Sequence, residues 1–181
     1  MHHETPDSFG TGLLLEDRLP LHWRVAVTPD AAPQLQLSNE ETLRVILSLD
    51  EHHVEASDEN PEFAHEVQRL ESKINLILEL VSQLLARQLQ LPEALPVRLS
   101  AHEIEWESAT APAVGSSVLI ETYVCPSYPR PLFLPATVID TSGGRARAEF
   151  DDLGEHVQDL LEKLIFRHHR RLIAASRRTG G

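Results

Sequence analysis

A chain of 181 residues, 41% of them hydrophobic, can bury one ordinary core, so a single domain is expected, with an extension that packs elsewhere. A formal net charge of -12 repels a phosphate backbone and sets nucleic acid aside as a partner. One cysteine, Cys125, permits no internal disulfide, and no apolar run approaches the roughly 20 residues that span a bilayer. The opening MHHETPDSF lacks a basic stretch followed by an apolar one, so no secretory signal is expected and a cytoplasmic setting is. The motifs GxGxxG, GxxxxGK, GxSxG and HExxH are absent, and a non-enzymatic protein without a cofactor is expected.

In chain order, residues 21–27 alternate as a half-buried strand, with Leu21, Trp23, Val25 and Val27 on one face, before Pro29 and Pro33 break the pattern. Ser38 followed by Glu41 reads as a capping box opening a helix that ends near His53, its apolar face carried by Leu43, Ile46 and Leu47. Asn60 as N-cap and Pro61 at the first helical position start a second helix, and Pro92 stops it. The period then falls to two in Val97 and Leu99, in Ile104 and Trp106, and in Val118, Ile120 and Thr122. Further strands are predicted at residues 134–140 and 145–150, joined by TSGG, whose glycines suit a turn with positive φ. A last helix over residues 154–176 aligns Val157, Leu160, Leu161, Leu164, Ile165, Leu172 and Ile173. This order predicts an α+β fold, a small antiparallel barrel closed by a C-terminal helix and carrying a long inserted helix. Residues 13–30 and 93–176 are assigned to the barrel and its helix, and residues 38–92 to an inserted helical oligomerisation region.

Inside that insertion a stripe runs at alternating spacings of 4 and 3 through Phe63, Val67, Leu70, Ile74, Ile77, Val81, Leu84, Gln88 and Leu91. It extends roughly 43 Å along a helix, longer than a small barrel can cover, so a coiled coil between subunits is expected. β-Branched residues at a with Leu at d favour two strands, but Leu78 and Leu85 at e and Leu80 at g widen the apolar face. A homotetramer is therefore preferred to a dimer, with Gln88 as the polar residue that pins the register.

Among the remaining polar residues, Arg18 and Arg24 could grip a phosphate or remain solvated beside their strand. The pairs His52 with His53 and His168 with His169 point to different sides of a helix and predict no metal site. The run RHHRR at residues 167–171 complements the negative end of the last helix, or forms a docking patch for an acidic partner. Trp23 and Trp106 are expected in the barrel core. Ser100, His102 and Glu103 lie too close along one segment to assemble a catalytic triad.

The segments LPLHWRV, VRLSAHEIEW, GSSVLIE, RARAEFDDL and EKLIFRHHRR resemble the PilZ domain over residues 15–27 and 95–172. A long heptad helix within such a domain is similar to the tetramer-forming atypical branch of that family. The resemblance implies a cyclic di-GMP site built from an RxxxR motif, whose arginine forks match the two phosphates, and a [D/N]xSxxG motif. Here Arg18 and Ser100 are kept, while His22 stands at the second Arg, Arg98 at the Asp or Asn, and Glu103 at the Gly through which backbone approaches ligand. The implied function is a signalling adaptor that binds an unidentified protein partner and binds cyclic di-GMP weakly or not at all. The alternative is a genuine cyclic di-GMP receptor with a rearranged site on Arg18, Arg24, Arg98 and Ser100.

Overall fold

The computed structural model describes residues 12–25, 32–49, 61–126 and 128–179. Its elements run β1 (Leu15–Val25), α1 (Ala32–Leu49), α2 (Pro61–Gln88), β2 (Ala94–Leu99), β3 (Glu103–Glu107), β4 (Ser117–Thr122), β5 (Leu132–Asp140), β6 (Arg145–Phe150) and α3 (Glu155–Thr179). The six strands close an antiparallel barrel in the order β1-β2-β3-β6-β5-β4. Closure depends on the length of β1. Its first half pairs with β2, Leu15 opposite Leu99, and its second half pairs with β4, Leu21 opposite Thr122, so no sheet edge is left open.

The barrel interior is filled by complementary sizes. Trp106 faces Ala146 and Ile104 faces Ala148 across the β3–β6 ladder, and all four are buried. Two small residues on β6 make room for the largest side chain of the core. The β5–β6 hairpin turns on Gly143 and Gly144 at φ of 61° and 77°, with Arg145 donating its N–H to the Ser142 carbonyl at 3.0 Å, the geometry a two-residue turn needs. Leu160, Leu161, Leu164 and Ile165 of α3 pack on the barrel in the same cluster as Leu43, Ile46 and Leu47 of α1.

Several sequence expectations are corrected here. β1 opens at Leu15, six residues before the expected strand, and it buries Leu15, Leu19 and Leu21. Trp23 is only half-buried and Val25 is exposed, because the strand runs out past the core; Val27 lies outside the described residues. α1 starts at Ala32 with Pro33 in its first turn, where the missing N–H breaks no helical bond, so Ser38 is mid-helix and caps nothing. It ends at Leu49, with Arg167 of α3 donating to the Leu47 carbonyl at 2.7 Å; His52, His53 and Asn60 lie outside the described residues. α1 also packs against α3 and β5, although it falls within the segment read as the insertion. α2 stops at Gln88, where Leu91 donates its N–H to the Leu89 carbonyl at 2.8 Å, so Leu91 is a turn residue and not a heptad position. Leu172 and Ile173 of α3 are exposed because the helix outruns the barrel.

α2, 28 residues long, packs on no element as closely as α1 and α3 pack on each other. No helix among the described residues is long and apolar enough to cross a membrane.

Candidate functional site

The barrel wall carries its charges in register. Glu16 on β1 faces Arg98 on β2, Arg98 faces Glu105 on β3, and Glu105 faces Arg147 on β6. Residues directly opposite one another in a sheet interact, and this row alternates in sign across four strands. Arg98 Nε donates to Glu16 Oε1 at 3.1 Å, its Nη1 lies 3.5 Å from Glu105 Oε1, and Arg145 Nη1 donates to the same Glu105 oxygen at 3.1 Å.

Beside this row lies a cleft of about 360 Å³ that brings Arg18 together with Arg98 and Arg145. It also contains Glu16, Asp17, Glu105 and Glu107, so three guanidinium groups meet four carboxylates. Arg18 Nη2 donates to the Ala94 carbonyl at 2.7 Å. Each arginine fork is thus engaged within the chain, and the lining as a whole repels a dianion.

Of the four residues read as a rearranged ligand site, only Arg18 and Arg98 share this cleft. Arg24 lies six residues further along β1, roughly 20 Å at strand rise, with its Nε 3.8 Å from Glu121 Oε1. Ser100 is buried and closes the β2–β3 turn. Its Oγ accepts the N–H groups of His102 at 3.1 Å and Glu103 at 3.0 Å, and donates to the Glu103 carbonyl at 3.2 Å. One donor and two lone pairs are all a hydroxyl offers, so none remains for a ligand.

Glu103, at the position where the ligand motif has Gly, is 8% exposed and receives Arg147 Nε at 2.7 Å and Nη2 at 2.6 Å on Oε2. The sequence signals neither this pair nor the opposition of Glu16 and Arg98, since both depend on strand register. No group of metal-ligating side chains is found among the described residues.

The second candidate surface is α2. Phe63, Ile77 and Leu84 are 66%, 59% and 58% exposed, and Leu70, Ile74 and Val81 are exposed beside them. Val67 is half-buried, Gln88 is exposed, and Ser82 on another side of the helix is buried. A helix that presents this many large apolar side chains to water has an unfilled face.

A closed six-stranded antiparallel barrel capped by a C-terminal helix, with a long helix preceding β2, defines a PilZ-like α+β domain. The family described as atypical PilZ domain, cyclic di-GMP receptor, matches residues 43–178, and the chain belongs to it. That span contains α2. A solved structure of a pathogenic protein from Xanthomonas campestris, described as a new tetrameric PilZ domain self-assembled via an unusual helical bundle, is similar at a TM-score of 0.68. The two are 30% identical over 91% of this chain and 92% of that one. No curated protein matches the chain.

Proposed function

We propose that this protein is a non-enzymatic, cytoplasmic signalling adaptor that assembles as a homotetramer through α2 and acts by contact with a protein partner. The observation that carries this reading is the exposed heptad face of α2, which one chain leaves uncovered along most of its length. The tetramer described for the Xanthomonas campestris protein supports the same stoichiometry. Light scattering tests it: the expected mass is four times the 20.3 kDa of one chain, and a single-chain mass rejects it.

The cyclic di-GMP site is degenerate on this reading, because Arg98 is held between two glutamates and Ser100 is spent within its own turn. The genuine-receptor reading draws on one observation, that Arg18 and Arg98 line one cleft. Titration calorimetry separates the two. Losing one Arg fork and the close backbone approach costs on the order of 1 to 3 kcal/mol each, so the expected dissociation constant is about 100 μM or weaker. A value near ~1 μM would establish the receptor instead.

A further inference from the structure

The charges of this chain are segregated along its length. Residues 163–181 hold Lys163, Arg167, Arg170, Arg171, Arg177 and Arg178, six of the 16 Lys and Arg, and none of the 28 Asp and Glu. The dipole of α3 does not account for this placement, since its effect fades within the last turn and Arg170 lies more than two turns before the end at Thr179. Arg167 is used internally, on the Leu47 carbonyl. Arg170 instead is exposed, its guanidinium carbon 5.8 Å from the centroid of the Phe166 ring, and Phe166 is itself 49% exposed. Ile173, one turn further, is 41% exposed. Phe166, Arg170 and Ile173 follow spacings of 4 and 3, so a cation and two large apolar groups share one face of α3.

That face runs into a cleft of about 770 Å³ between α3, the β2–β3 turn and the residues just before β1. Phe166 lines it from α3, and Leu13, 43% exposed, lines it from the start of the chain's described residues, so two large apolar side chains are open to an occupant. Asp159 and Glu162 line it too, on the side of Phe166 away from Arg170 along the helix. We propose that this face docks an acidic amphipathic helix of another protein, with an apolar side chain seated between Leu13 and Phe166 and carboxylates reaching Arg170. An exposed apolar stripe at helical spacing is the complement of a second helix, and a guanidinium beside it selects carboxylates. An anionic bilayer is opposed by the same geometry, because Asp159 and Glu162 would meet it beside Phe166, and residues 1–162 carry only ten Lys and Arg against all 28 carboxylates. A single helix can turn acidic residues to Arg170 and neutral ones to Asp159 and Glu162. On the adaptor reading, on which this assignment rests, α3 is the partner-binding face and α2 the assembly face.

The test titrates synthetic peptides of about 15 residues, long enough to hold a helix, into the full chain by calorimetry. One carries Leu on one face and Glu on the other, a second has the same composition with its Leu residues scattered, and a third has Lys in place of Glu. The first should bind saturably at one per chain, with the other two weaker by on the order of tenfold. Phe166→Ser and Arg170→Glu should each weaken the first peptide by a similar factor, and Arg170→Glu should strengthen the Lys peptide, while the mass by light scattering stays that of the unmutated protein. Equal binding of the scattered or the Lys peptide would overturn the docking face, as would affinities unchanged in both variants. Phosphatidylserine vesicles that bind in place of the peptides would make this a lipid surface, and a mass that falls in Phe166→Ser would give the face to a second copy; either result overturns the proposal. A tetramer that binds none of the peptides rejects this face alone, whereas a single-chain mass with selective peptide binding intact rejects the assembly and leaves the face standing. The peptide series on the unmutated chain decides the matter even if a variant fails to fold.

Discussion

At the scale of single residues, the side chains that make this barrel wall stable are those that depart from the ligand motif. Glu103 and Arg147 form a charged pair largely withdrawn from water, and removing one partner of such a pair strands the other. Glu103→Gln should therefore cost roughly 3 kcal/mol in denaturant unfolding. A loss under about 0.5 kcal/mol would mean that Arg147 finds another acceptor at once. The same pair bears on any attempt to rebuild the family motif. Placing Gly at residue 103 opens the backbone to a ligand but removes the Glu103 carboxylate that Arg147 contacts, so restored binding must exceed a loss of fold stability.

At the scale of elements, the sequence revealed what periodicity controls and hid what packing controls. The strands at Val97, Ile104, Val118 and Arg145 were legible because alternation of buried and exposed side chains is local. The start of α1 was not, because Pro33 reads as a breaker by propensity yet costs nothing in a first turn. Arg18 and Arg98 were picked out by motif position, but their partners are set by a register that no single segment contains. Ser100 was picked out by motif position, whereas the bonds of its hydroxyl to the β2–β3 turn carry no sequence signal.

Asn39 was missed altogether, since a mid-helix asparagine carries no pattern. It is 1% exposed, its Nδ2 donates to the Phe133 carbonyl at 2.7 Å, and its Oδ1 accepts the Phe133 N–H at 2.8 Å. The side-chain amide thus stands in for a neighbouring strand where β5 extends beyond its pairing with β6, which begins at Ala136 opposite Phe150. Asn39→Ala leaves both backbone groups without their partner and should cost about 1 to 3 kcal/mol, read from the denaturation midpoint at unchanged slope. A neutral outcome would show that water replaces the amide.

At the scale of the whole molecule, the barrel and the α2 stripe separate into two bodies of apolar surface. The core cluster draws on β1 to β6, α1 and α3, and contains no residue of the heptad stripe. The stripe instead presents its Leu, Ile and Val side chains to solvent, and burying four such positions per helix at about 25 cal/mol per Å² contributes several kcal/mol per subunit before ordering costs. Ile74→Lys together with Ile77→Glu introduces charges at adjacent a and d layers, where desolvation opposes association. The expected product is a monomer of 20.3 kDa by light scattering whose β signal in circular dichroism persists, since neither residue touches the core that closes the barrel. Loss of the β signal along with the mass would mean that the barrel folds only in the assembly, and would refute the separation of the two surfaces. A variant that keeps the mass of the unmutated protein would show that another surface, such as the exposed Phe166, Leu172 and Ile173 of α3, holds the chains together in place of α2.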